Sequence, residues 1–106
     1  MYGQDSNIAR MKKMKIVIKD TFSKDYITRE AGEKLRNMII QSNEVLTIDF
    51  SNTKIASTSF FDEAFAKLSD EKIQKKWKDF ICIININELD KKLLIQITKN
   101  RNVDLF

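Results

Sequence analysis

Histidine and proline are absent from this 106-residue chain, glycine occurs twice and cysteine once. Without histidine there is no Ser-His-Asp triad, no Cys-His pair, no phosphohistidine relay and no imidazole metal ligand. With Gly3 and Gly32 as the whole glycine supply, neither a GxGxxG turn nor a Walker loop can be written, which argues against a nucleotide-binding enzyme. Cys82 alone cannot close an internal disulfide. Lying in an apolar run, it is expected to be a small buried hydrophobe and not a reactive thiol. No apolar stretch reaches the roughly eighteen residues of a membrane span. The N-terminus also lacks the apolar region of a signal peptide, so a soluble, cytoplasmic protein without membrane contact is expected.

What is present is enough for one core: 42% of the residues are hydrophobic,. The net charge is only +4, but it is concentrated. Arg10, Lys12, Lys13 and Lys15 lie near the start, and Lys72, Lys75, Lys76 and Lys78 surround Trp77. Basic residues beside an aromatic can serve single-stranded nucleic acid. The competing reading turns Trp77 and Ile73 inward on a helix whose lysines are merely solvated.

Val45–Leu68 organises the rest of the chain. Val45, Leu46, Ile48 and Phe50 read as a strand buried on both faces. Ser51 to Lys54 carries turn chemistry. Phe61, Ala64, Phe65 and Leu68 then recur at helical spacing. Ser59, followed three residues later by Asp62, is the expected helix start, with Asp62 and Glu63 suited to the positive end of the helix dipole.

Residues 1–12 read as a flexible leader and 13–106 as one domain. Met14, Ile16 and Ile18 alternate with polar residues in a first strand, half-buried or at an edge. Turn formers then surround Phe22, which is expected to enter the core. A helix is expected from Thr28, as N-cap, to Gln41, with Ala31, Leu35, Met38 and Ile39 inside and Arg29 and Arg36 outside. Gly32 in its interior suggests either close packing against a neighbour or a tolerated weak point. The run Phe80 to Ile86 is expected as a central parallel strand. Asn87 with Asp90 opens a last helix striped by Leu89, Leu93, Leu94 and Ile97. Val103, Leu105 and Phe106 can add a strand, cover the sheet or meet a second subunit.

This order implies a single small α/β domain, with a largely parallel or mixed sheet of about three or four strands and about three helices. The functional edge then carries Asp49, Ser51, Ser57 to Ser59, Asn85 and Asn87. Asp49, Asp62 and Glu63 are the carboxylates that metal or acid–base chemistry would use. Asp62 and Glu63, however, point about 100° apart on a helix and do not face one site. No catalytic residue, metal or cofactor is expected.

Ile48-Asp49-Phe50-Ser51 on the strand and Ser59-Phe60-Phe61-Asp62-Glu63 opening the helix resemble STAS domains, the fold of bacterial anti-sigma-factor antagonists. The nearest likeness is to STAS-like proteins of unknown function, with further matches at Thr28-Arg29-Glu30-Ala31-Gly32, Asn85, Asn87 and Arg101. The resemblance implies a non-catalytic regulatory module of bacterial or phage origin. It would dock a partner, a histidine-kinase-like ATPase, through Asp49, Ser57, Thr58, Ser59, Phe60, Asp62 and Glu63. In the antagonists a serine at this helix start is phosphorylated and docking is then blocked; by position that serine is Ser59 here, beside Thr58. This chain has Ser57 where the antagonists carry Asp, and Phe60 where they carry Gly. Two other readings stand beside it: nucleic-acid contact through Lys72, Lys75, Lys76, Trp77 and Lys78, and a homodimer through Phe106 and the last helix.

Overall fold

Among the described residues, three strands, β1 (Met14–Val17), β2 (Leu46–Asp49) and β3 (Ile81–Ile84), form a parallel sheet in the order β1-β2-β3. The computed structural model describes residues 14–22, 27–42, 44–70 and 77–106. The expected leader at 1–12 and Lys72, Lys75 and Lys76 of the basic cluster lie outside the described residues. In register, Leu46 pairs with Met14 and Ile81, and Ile48 with Ile16 and Ile83. These residues share one face, because side chains alternate along a strand. Ile16, Leu46, Ile48 and Ile81 are buried there.

Among the described residues, five α-helices accompany the sheet: α1 (Ile18–Phe22), α2 (Arg29–Gln41), α3 (Thr58–Ala64), α4 (Trp77–Phe80) and α5 (Glu88–Lys99). A 3-10 turn at Ala66–Asp70 follows α3. Right-handed crossovers that step in one direction across a sheet place their helices on one face. The other face is open over Lys15 and Cys82. Cys82 is therefore exposed, not the buried hydrophobe that its apolar surroundings suggest. β3 is correspondingly an edge strand and not the central one. Its long apolar run has another origin: Phe80 ends a helix and is 40% exposed, while only alternate residues of the strand face the core.

α1 occupies the first part of the turn expected over Asp20 to Asp25, of which 23–25 lie outside the described residues, and takes Ile18 from the strand into a fully buried helical position. Thr28 caps α2 as expected, its hydroxyl accepting from the Ala31 N–H at 3.0 Å. Asn87 likewise caps α5 by accepting from the Asp90 N–H at 2.9 Å. Leu94 of the predicted α5 stripe is buried, whereas Leu89 stays 70% exposed. The core is threaded by phenylalanines in edge-on or tilted contact. Phe22 meets Phe60 (6.4 Å between ring centres), Phe60 meets Phe61 (5.8 Å), and Phe50 meets Phe61 (6.3 Å) and Phe65 (6.5 Å).

The chain leaves α5 through a Schellman turn. Asn102, at φ 59°, donates to the Lys99 carbonyl and Val103 to that of Thr98,. Of the roles open to the apolar tail, it covers the core: Val103 and Leu105 are buried, and Phe106 lies under the Lys91 ammonium at 5.1 Å. Among the described residues, no helix is long and apolar enough to cross a membrane.

Gly32 explains how α2 and α3 meet. A Cβ added there would lie 2.7 Å from the Phe60 carbonyl oxygen and 2.9 Å from the Glu63 Cβ. Neither atom belongs to the far end of a flexible side chain, so the two helices must separate to admit it. Gly32→Ala is expected to destabilise the protein by about 2 kcal/mol. Overpacking outweighs the gain of about 1 kcal/mol in helix propensity. Urea unfolding checks this; an alanine variant as stable as the parent contradicts the close approach.

Candidate functional site

The start of α3 is set by Ser57, not by Ser59. The Ser57 hydroxyl accepts from the Phe60 N–H at 3.2 Å and donates to the Ile27 carbonyl at 3.0 Å. This cap lets Thr58 and Ser59 enter the first helical turn with their hydroxyls free for other partners. Thr58 is exposed and Ser59 half-buried. They line an open depression of about 360 Å³ together with Asp62, Arg29, Ile97, Asn100 and Arg101.

Two guanidinium groups from distant parts of the chain converge on this hollow. Arg29, from the first turn of α2, donates to the Ser59 hydroxyl at 3.2 Å. Arg101, just past α5, lies 3.9 Å from an Asp62 oxygen and 3.5 Å from one of Asp70. The site thus combines two hydroxyls, one carboxylate and two cations on an accessible surface. It can make charge-assisted hydrogen bonds to a partner.

Glu63 points away from the hollow, in the direction expected for its neighbouring helical position. It is 4% exposed. Its carboxylate meets Arg29 and Lys67 at 2.7 Å each and Arg36 at 3.1 Å. Arg36 also donates to the Glu63 carbonyl. These partners, Lys67 foremost and then Arg29 and Arg36, hold the Glu63 pKa down at about 2 against the opposing effect of burial. Arg36, expected to face solvent, therefore has a side chain only 15% exposed. Gly32 is the cause, since the close approach of the helices leaves Arg29 and Arg36 on either side of Glu63.

Asp49 forms a separate polar cluster at the carboxyl ends of β2 and β3. It accepts from the Ser51 N–H (2.8 Å), the Ser51 hydroxyl and the Asn85 amide (3.0 Å), with Lys15 Nζ at 3.5 Å. The Ser51 hydroxyl and then the Asn85 amide hold its pKa at about 2. Its Oδ1 takes all three hydrogen bonds and ties the strand ends together, and it does not line the Ser59 hollow. Phe60, expected on the docking surface, is fully buried. With Phe22 and Phe61 around it, its ring belongs to the core.

The structure thus brings together Thr58, Ser59 and Asp62, assigns Ser57 to the cap, and leaves Phe60, Glu63 and Asp49 outside the hollow. Arg29 and Arg101 enter it without having been expected there. Among the described residues of the basic cluster, Trp77 is 8% exposed and Lys78 pairs with Asp104 at 3.3 Å. The aromatic face that a nucleic acid would stack on is packed into the core. Among the described residues there is also no group of three His, Cys, Asp or Glu side chains suited to a metal ion.

A three-stranded parallel sheet with helices packed on one face makes the described residues a small α/β domain,. The family model described as a STAS-like domain of unknown function (DUF4325) matches residues 31–91, and the chain belongs to that family. The match runs from α2 to the first turn of α5 and so includes Ser57 to Glu63, but not Arg29 or Arg101. No curated protein and no solved structure matches the chain.

Proposed function

We propose that this domain is a non-catalytic regulatory module that docks a partner protein, a kinase-like ATPase, at the Thr58–Ser59–Asp62 hollow. One observation carries the reading: helix α3 presents two hydroxyls and a carboxylate beside Arg29 and Arg101, on a surface clear of the core. Such a surface recognises a partner through directed, charge-assisted hydrogen bonds at modest apolar cost. Phosphate on Ser59 would add negative charge to the same surface and switch docking off. No cofactor takes part, and the setting is cytoplasmic.

The test is affinity capture from the native cell lysate, with and without ATP, using the parent chain and Ser59→Asp, both first shown to unfold at the same temperature. Recovery of an ATPase-like protein by the parent, reduced at least about tenfold in the variant, is the expected result; that factor corresponds to about 1.4 kcal/mol. Phosphate found on Ser59 after incubation with ATP extends the reading to a switch. Equal recovery by parent and variant removes this surface from the account.

A further inference from the structure

We propose that Asp90, in the first turn of α5, is a positioning residue for the docking surface at the start of α3. The proposal rests on the docking reading above for its purpose but not for its geometry. Asp90 is 2% exposed. Its two carboxylate oxygens accept from the backbone N–H groups of Ile55 (2.7 Å) and Ala56 (2.8 Å). The Asn87 amide donates to the same carboxylate at 2.8 Å and also reaches toward the Thr53 carbonyl at 3.4 Å. Cap and clamp are therefore one unit: Asn87 accepts from the Asp90 N–H with its oxygen and steadies the Asp90 carboxylate with its nitrogen.

What this unit holds is a segment under strain. Ala56 sits at φ 46°, a left-handed conformation that an L side chain with a Cβ adopts only at a cost. Such a conformation persists where surrounding bonds over-determine it. Here two consecutive amides are pinned by one buried carboxylate. Ala56 is followed directly by Ser57, whose hydroxyl caps α3. The angle at which the chain enters α3, and with it the presentation of Thr58 and Ser59, is thus fixed from α5. Asp90 does not line the hollow; it acts through Ala56 and Ser57.

Amide hydrogen exchange and backbone NMR shifts of the full chain test this with three proteins: the parent, Asp90→Asn and Asp90→Asn/Ala56→Gly. Asparagine keeps the shape of the side chain but turns an NH₂ donor toward one of the two amides. In Asp90→Asn, exchange at Ile55 and Ala56 is expected to quicken at least about tenfold. Shifts should move at Ser57 to Phe61, while Leu35, Ile39 and Ile48 stay protected. Adding Ala56→Gly, which relieves the positive φ, should return the Ser57 to Phe61 shifts toward those of the parent. The proposal is overturned if those shifts stay in place once the Ile55 and Ala56 amides are released. Uniform loss of protection through α2 and β2 without rescue by glycine overturns it equally, by making Asp90 a general stability residue. No partner enters this measurement, so failure of the docking reading leaves its result unchanged.

Discussion

Phe60→Ala is expected to destabilise the protein by about 4 kcal/mol, the largest effect of any substitution near the candidate site. The ring is fully buried, touches Phe22 and Phe61 edge-on, and stands beside the point where Gly32 lets α2 approach. Truncation removes a large apolar surface and leaves a cavity between α1 and α3 that neighbouring rings fill only in part. Phe60→Leu should cost much less, because most of the volume is kept. Urea denaturation followed by circular dichroism separates the two. A Phe60→Ala protein of parental stability would place the ring at the surface and undo the division between core and hollow. The practical consequence is specific: binding lost in Phe60→Ala reports unfolding, whereas binding lost in Ser59→Asp reports the surface.

Glu63→Ala comes next, at roughly 3 kcal/mol, because removing one member of a buried ionic cluster leaves the others uncompensated. Most of the loss falls on Arg36, whose side chain is 15% exposed, against 33% for Lys67 and 60% for Arg29. The latter two are freer to regain water. A pH signature accompanies the stability effect. The Glu63 pKa falls from 4.5 to about 2 on folding. Its contribution is therefore complete above pH 4.5 and is lost as the pH drops through about 2, where the folded state must also take up the proton. Asp49, lowered from 3.8 to about 2, acts in the same direction. The parent should lose stability progressively over this acid range, and Glu63→Gln should show a shallower decline, with the Asp49 part remaining. Denaturation midpoints measured across the range check the slope; identical slopes in parent and Glu63→Gln would mean that the cluster does not hold the carboxylate.

The sequence was most informative where local chemistry decides the outcome. Thr28 and Asn87 cap the helices they were expected to cap, and Ala31, Leu35 and Ile39 face inward at helical spacing. Of the two readings open to the glycine inside α2, the structure shows the close helix contact, against Phe60 and Glu63. Ser57 and Ser59 were harder to separate, since in Ser57-Thr58-Ser59 each residue is an acceptable N-cap. The choice fell to tertiary bonds: the Ile27 carbonyl takes the Ser57 hydroxyl, and Asp90 pins the two amides just before it.

The central position expected of β3 failed for a physical reason. Apolar continuity in Phe80 to Ile86 combines a helix end, an edge strand and a turn at Asn85, and burial on two faces is not needed to produce it. Arg29 and Arg36 carried a signal that periodicity alone did not expose. With Gly32 they form an i, i+3, i+7 stripe, so whichever helix meets the glycine also meets both guanidinium groups. A charged stripe bracketing a helical glycine points to a buried carboxylate on the partner helix, which here is Glu63. Arg101 had no comparable local signal; its place in the hollow depends on how α5 ends.

The central claim is that partner contact occurs at the α3 start and not elsewhere on the domain. Site-specific photocrosslinking tests it most directly. A benzophenone maleimide is attached in one protein at Ser59→Cys, in a Cys82→Ser background. In the other it is attached at native Cys82, which is exposed on the open face of the sheet, away from the helices. After irradiation in native lysate, the account predicts one dominant protein adduct from position 59 and none of that protein from position 82. The same adduct from both positions, or from Cys82 alone, would contradict it.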